Sequence, residues 1–289
     1  MRSSIAISIL CVVVLLPCVC LGQISKSNVS NQLKIDSEVT HLEVDIRGNV
    51  YYTSSGGETL TKWDREGKIT VVGGNSSSAG RVKLGRISDV AITNGLKIYL
   101  ADRRNFAIQI FEKHLEWIGS LSPEAQDLEY SEPELIAVSQ QDAVFAYYSD
   151  KHKLVKFNSD GNQEPGFVLP IDITRKIIYI STSNDSVFLL DENDVIHLLS
   201  LNGRYQKFVK SDQKYIQLAR FFNRMLLISV DQVGLLSENG TFVAQWKIND
   251  SNIAQLNVNG GWAVWRKDNL LVREKIADPG ELSVLSRIE

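Results

Sequence analysis

Cysteine is confined to the first twenty residues of this 289-residue chain: Cys11, Cys18 and Cys20 are its three, and none follows. A fold built from the remainder holds together without disulfides and offers no thiol nucleophile or thiolate metal ligand. Proline is scarce, six in all, and no low-complexity tract occurs, which argues against long disordered linkers. Neither charge is in excess. With 31 basic and 34 acidic residues and a formal net charge of −3, there is no electrostatic case for a nucleic-acid partner. After residue 22 no stretch is long and apolar enough to span a bilayer, and no segment keeps a 3.6-residue apolar period. Hydrophobic residues nevertheless make up 44% of the chain, ample for a sizeable core. Apolar material without helical periodicity predicts an all-β fold.

The first residues read as an export signal. Arg2 precedes the apolar run Ile5–Val19, and Cys20-Leu21-Gly22 places small residues where cleavage before Gln23 needs them. The alternatives are an uncleaved anchor, or acylation at Cys18 or Cys20, although Pro17 and Val19 suit that processing poorly. The expected layout is a signal peptide over 1–22, an N-terminal segment over 23–38 able to supply a closing strand, and a folded domain over 39–289. Such a protein is exported, to the periplasm, the cell envelope or the outside.

What the chain has in abundance is a repeated turn. Tight-turn signals flanked by apolar residues return roughly every 40 residues, six times, a period typical of propeller blades. They lie at Gly48-Asn49, Gly95, Gln141-Asp142, Asn184-Asp185, Asn223-Arg224 and Gly260-Gly261. Around each, short strands can be written in the order strand, turn, strand, loop, strand, turn, strand. This predicts a six-bladed β-propeller of four-stranded antiparallel blades. A second turn recurs in phase as Asp160-Gly161, Asn202-Gly203 and Asn239-Gly240, dipeptides suited to two-residue hairpins. Either Leu33–Ile35 or Leu282–Leu285 is expected to close the ring, because an open sheet edge invites aggregation.

The second repeat runs Asp89-Val90-Ala91-Ile92, Gly95, Ile98-Tyr99-Leu100-Ala101-Asp102, Asn105, Ile108-Gln109-Ile110-Phe111. It resembles the NHL repeat, with Ala107 where that repeat usually has Arg. The first repeat matches partly, at Asp45, Gly48-Asn49, Val50-Tyr51 and Lys62-Trp63-Asp64. The layout is also similar to exported six-bladed propellers of Bacteroidetes-type bacteria, a group without assigned catalysis. The resemblance implies fold and export more than activity.

Propeller ligands are expected on the face built from the loops between second and third strands together with the inter-blade crossings. Candidate residues there are Asp102, Arg103, Arg104, Asn105, Tyr148, Asp150, His152, Asp191, Asp194 and Lys267. No catalytic residue is assigned. No G-x-S-x-G elbow occurs, and the Gly73–Gly80 run lacks the Lys-Ser/Thr end of a phosphate loop. The four histidines sit at different phases of the repeat and do not suggest one zinc site. The expected function is an exported non-catalytic binding or scaffolding propeller. It would recognise a protein or other envelope ligand through that face, without cofactor, nucleic acid or transmembrane span. The alternative is a metal-dependent, lactonase-like hydrolase or lyase with calcium or zinc in the central channel, held by Glu43, Asp45, Asp89 and Glu134.

Overall fold

The computed structural model describes residues 31–54, 56–74, 82–124, 126–165, 167, 169, 173–210, 213–247 and 253–277. The expected signal peptide and the alternative closing segment Leu282–Leu285 lie outside them. Six antiparallel sheets form a ring of blades. Strand β1 (Gln32–Lys34) precedes blade one, which holds β2 (Val39–Val44), β3 (Val50–Ser54), β4 (Thr59–Trp63) and β5 (Ile69–Gly73). Blade two holds β6 (Ile87–Ile92), β7 (Ile98–Asp102), β8 (Ala107–Phe111) and β9 (Trp117–Leu121). Blade three has three strands, β10 (Leu135–Val138), β11 (Val144–Tyr148) and β12 (Lys153–Phe157), extended by a bridge from Phe157 to Gln163. Blade four comprises β13 (Ile177–Thr182), β14 (Ser186–Asp191), β15 (Val195–Ser200) and β16 (Tyr205–Lys210). Blade five comprises β17 (Gln217–Phe221), β18 (Arg224–Ile228), β19 (Gln232–Leu236) and β20 (Phe242–Lys247). Blade six is β21 (Ile253–Asn259), β22 (Trp262–Lys267) and β23 (Leu270–Lys275), with β1 added at its outer edge. The only helical turn among the described residues is Gln126–Leu128.

The ring is therefore closed from the N-terminal side. Leu33 pairs with Leu271 in β23, and Ile35 donates a further backbone bond to Asn269. A second clip crosses the same seam. Arg273 is buried, donates from Nη1 to the carbonyls of Gly48 (2.8 Å) and Asp64 (2.9 Å), and stacks 4.0 Å from the Trp63 ring.

Six apolar clusters lie between neighbouring blades, one at each seam. In β14, Val187 and Leu189 pack toward blade three while Phe188 and Leu190 pack toward blade five. Both faces of such a strand are covered, so its sequence is a continuous apolar run rather than an alternation. Outermost strands have one wet face, and Tyr205–Lys210 alternates half-buried with exposed. Each fully buried Leu, Phe or Val contributes about 1.5–3 kcal/mol, so the six seams together carry the fold.

The hairpins correct one expectation. The Asn-Gly pairs do not make two-residue turns, which need positive φ at both central residues. Only the glycine is left-handed: Gly161 at +85°, Gly203 at +80°, Gly240 at +68°. The loops are three-residue turns with the left-handed residue fourth, as in Ser237-Glu238-Asn239-Gly240. There Gly240 N–H donates to the Ser237 carbonyl and Ser237 N–H to the Thr241 carbonyl. The first residue explains the choice. Its side chain accepts the backbone N–H four residues on, Asp64 from Lys68, Asn158 from Asn162, Ser200 from Arg204, Ser237 from Thr241. A polar residue followed three later by glycine is thus one device used in four blades.

Candidate functional site

The six inner strands β2, β6, β10, β13, β17 and β21 line the central channel. Four of them carry a register shift near their start: Val39/His41, Ile87/Asp89, Ile177/Tyr179 and Ile253/Gln255. A bulge re-aims the side chain that follows it, and here that residue is polar each time. His41, Asp89, Tyr179 and Gln255 all line a cavity of about 280 Å³ at the loop-side mouth, with Glu43 and Gln217. A narrower cavity of about 70 Å³ continues along the axis. At its turn-side end Arg220 reaches from blade five to blade two, opposite in the ring, and its Nη2 donates to Asn94 Oδ1 at 2.6 Å.

Glu43 and Asp89 meet in this channel. Burial pushes the Asp89 carboxyl up to about 7, against the pull of two backbone donors. These are Ile136 N–H to Oδ2 (2.8 Å) and its neighbour Val90 N–H to Oδ1 (2.9 Å). Glu43 is raised well above the usual carboxylate range, first by burial and then by the Asp89 charge; the Asn257 hydrogen bond opposes the rise. Two acids so placed cannot both ionise cheaply, so the pair holds protons to higher pH than free carboxyls do. Tyr179 stands beside them. Its hydroxyl is raised well above its ordinary value by burial and then by the Glu43 and Asp89 charges, while its bond to Gln217 opposes this.

The remaining polar groups at the mouth are mostly spoken for. His41 Nδ1 pairs with Thr53 Oγ1 at 3.0 Å, and burial lowers its pKa to about 4, so it is neutral at physiological pH. Gln255 Nε2 donates to the carbonyls of Val39 and Thr40, but its Oε1 is buried with no partner among the described residues. Asn259 Oδ1, deeper in the channel, is likewise unpartnered among them. The mouth therefore presents acceptors that lack donors.

The residues expected on the loop face are placed differently from one another. Asp102 is fully buried and binds Gly85 N–H (3.0 Å), Asn105 N–H (3.3 Å) and Asn105 Nδ2, so both Asp102 and Asn105 are spent on the loop itself. Arg103 is paired with Glu132, while Arg104 lies 3.9 Å from Glu58. Tyr148 is in the seam between blades two and three rather than on the face. Asp150 is an exposed turn residue. His152 is held between the Tyr147 hydroxyl (2.9 Å) and the Ile173 carbonyl (2.7 Å). Asp191 is buried, accepts from Asn193 and Val195 N–H, and pairs with His197 at 3.0 Å. Asp194 takes the left-handed turn position at φ +61°, and Lys267 sits in β22 opposite Leu270. Buried aspartates here cap loops because a carboxylate two to four residues from free N–H groups satisfies them locally.

The four acids of the metal alternative are not one cluster. Asp45 lies at the turn side, bonded to Arg47 N–H, Asn49 and the Tyr51 hydroxyl. Glu134 stands on the loop side with Ser149 and with Lys176 Nζ at 2.8 Å. Glu43 and Asp89 remain, with Asn257. Val44 N–H donates to Asn257 Oδ1, which turns the Asn257 amide nitrogen onto Glu43 Oε1 at 2.9 Å. Both Asp89 oxygens already accept backbone bonds. Calcium wants six to eight oxygens and structural zinc four His, Cys or carboxylate ligands. Two carboxyls whose oxygens already accept from the Asn257 amide and from backbone N–H groups, with an amide that offers its nitrogen, do not supply the ligand set of either ion. Among the described residues no group of three or more His, Cys, Asp and Glu gathers.

No family model matches the chain, and no curated protein matches it either. Its likeness is to solved structures. A streptogramin B lyase shares 11% identity, with a TM-score of 0.60 over 86% of this chain and 88% of that one. Virginiamycin B lyase from Staphylococcus aureus gives 12% identity and 0.59 over 87% and 89%. A chain of the mitotic checkpoint complex gives 8% and 0.62 over 95% and 100%. At these identities the likeness is one of fold alone.

Proposed function

We propose that the protein is an exported, non-catalytic binding propeller. It takes a cationic hydrogen-bond donor, the ammonium or guanidinium group of an envelope ligand or partner protein, into the loop-side mouth of its channel. One observation carries this reading: the Glu43–Asp89 pair shares the mouth cavity with Gln255 Oε1, which has no partner among the described residues, and the narrower cavity beyond it is bridged at its far end by Arg220 and Asn94. A cation entering from the loop side supplies the missing donor and offsets first the burial penalty and then the mutual repulsion that raise the two acids. The rigid ring holds the acceptors in place beforehand, which lowers the ordering cost of binding. Because the bound cation favours ionised acids, affinity rises with pH through about 7.

The test is titration of the protein with an arginine-bearing peptide and its citrulline counterpart at several pH values. The arginine peptide binds, binding weakens below neutrality, and Glu43→Gln or Asp89→Asn lowers affinity by roughly tenfold or more. Equal binding of the neutral citrulline peptide sinks the proposal.

The raised acid pair also favours a second reading, a propeller lyase or hydrolase with Asp89 as base and protonated Glu43 as acid. Steady consumption of a lactone or ester, abolished by Glu43→Gln, would select it over simple binding.

A further inference from the structure

The opposite end of the ring carries a groove that the channel reading does not use. It is a cavity of about 570 Å³ on the turn side, shared by blades six, one and two. Its cationic lining comes from Arg47, Lys62, Arg65, Lys113 and Lys275. Arg47 and Lys113 stand on two different hairpin turns, Lys62 and Arg65 on one β4–β5 hairpin and Lys275 at the end of β23, and all but Lys62 are exposed. Asp64 and Glu66 also reach the groove, but Asp64 Oδ1 is spent on the Lys68 N–H. Among the described residues none of the five cations is in a salt bridge. Lys62 instead donates to the Lys113 carbonyl at 2.6 Å. Burial brings its pKa down against the opposing charges of Asp45, Asp64 and Glu66, with a smaller push in the same direction from Arg47. On a chain of net charge −3, five cations against the two acids Asp64 and Glu66 leave this concavity a formal excess of three positive charges, and an anionic ligand would offset it.

The groove also has an indole in its wall. Trp262 packs against Gly48 so tightly that a Cβ there, at φ +83°, would lie 2.6 Å from Trp262 Cε2. The exposed side of the picture is set by Arg65, whose guanidinium lies 5.6 Å from the ring centre.

We infer that this groove binds a segment of an acidic polysaccharide, a sugar chain bearing carboxylate groups. The cations are spread over three blades rather than focused on one point, which suits a linear polyanion better than a single small anion. They line a concavity, which suits a chain better than a flat lipid surface. Arg65 already occupies the indole, so no free aromatic platform is offered to a nucleobase, as single-stranded nucleic acid would require.

The test is binding of the purified protein to polygalacturonate, with its methyl ester as the uncharged counterpart. The charged polymer binds, the ester does not, and affinity falls steeply between about 50 and about 200 mM salt. Reversing two groove charges together, Arg47→Glu with Lys275→Glu, lowers affinity roughly tenfold per charge with the melting temperature unchanged. Lys151→Glu on the loop side leaves it unaltered. Full binding by the double variant, or no binding by the unaltered protein, overturns the assignment. So does tighter binding to single-stranded DNA or to phosphatidylserine vesicles. The groove shares no lining residue with the channel mouth, so failure here leaves the cation-binding reading intact, and the reverse also holds.

Discussion

The two ends of this ring are concave in opposite electrostatic senses. At the loop side, bulged inner strands gather Glu43, Asp89 and unpartnered acceptors. At the turn side, hairpins of blades six, one and two gather cations without ion pairs. The difference follows from how each surface is made. Loop-side charge that lies outside the channel is largely consumed by the fold, as Asp102 and Asp191 show in capping their own loops. In blade one the turn-side hairpins are capped by a single Asp each, Asp45 and Asp64, so the neighbouring Arg47 and Arg65 side chains are not spent on the turns. Charge in a loop is therefore a poor sign of function until the local N–H groups have been counted.

Breaking the closure removes the comparison altogether. Deleting β1 with Ile35 strips the outer edge of blade six and uncovers Leu271 and Val264 at the seam. A loss of about 3–5 kcal/mol is expected, with aggregation at the exposed edge, read by denaturant melting and light scattering. Damage confined to the turn side is smaller. Gly240→Val forces a branched residue to φ +68° against Leu198, 2.9 Å from the added Cβ, and costs about 2–3 kcal/mol. Gly67→Val, at φ +91° but with nothing within 4 Å, costs less because only the backbone term remains. Equal losses would mean that the contact with blade four is immaterial.

The acid pair sharpens the loop-side half through pH. Asp89, raised to about 7, and Glu43, raised well above the usual carboxylate range, bind more protons folded than unfolded. Their contribution is complete below about 4 and is lost as pH rises through their folded values. His41, lowered to about 4, acts in the other sense: its contribution is full above its ordinary value near 6.5 and lost as pH falls through about 4. Two acids outweigh one histidine, so stability falls as pH rises from about 5 to about 7. Asp89→Asn removes one acid and flattens the curve, a relative gain of about 2 kcal/mol at pH 7 after discounting for water in the mouth. Parallel curves for the two proteins would contradict the placement.

The ring was legible in the sequence because turn chemistry repeats in it. Asp64, Asn158, Ser200 and Ser237, each followed three residues later by glycine, mark the same hairpin in four blades. Blade two keeps that hairpin without the signal: Leu115 takes the left-handed position at φ +65°. Leu33–Ile35 was visible as a strand, but its partner in β23 depends on the ring meeting itself. The channel was half legible. Glu43 and Asp89 stood out as inner-strand acids, whereas Asp45 and Glu134 matched them in sequence and not in space. Tyr179, Gln217, Gln255 and Asn257 were hidden, because a polar residue in an apolar strand does not announce which way it faces. The register shifts that turn Tyr179 and Gln255 inward leave no trace in the residues themselves.

Glu43 and Asp89, buried together in the channel, hold their protons to higher pH than free carboxyls. Carbon-detected NMR of side-chain carboxyls, with Glu43→Gln and Asp89→Asn for assignment, measures it directly. The expected result is a Glu43 carboxyl titrating well above the usual carboxylate range and an Asp89 carboxyl titrating near 7. Both carboxyls fully ionised by pH 5 would contradict it.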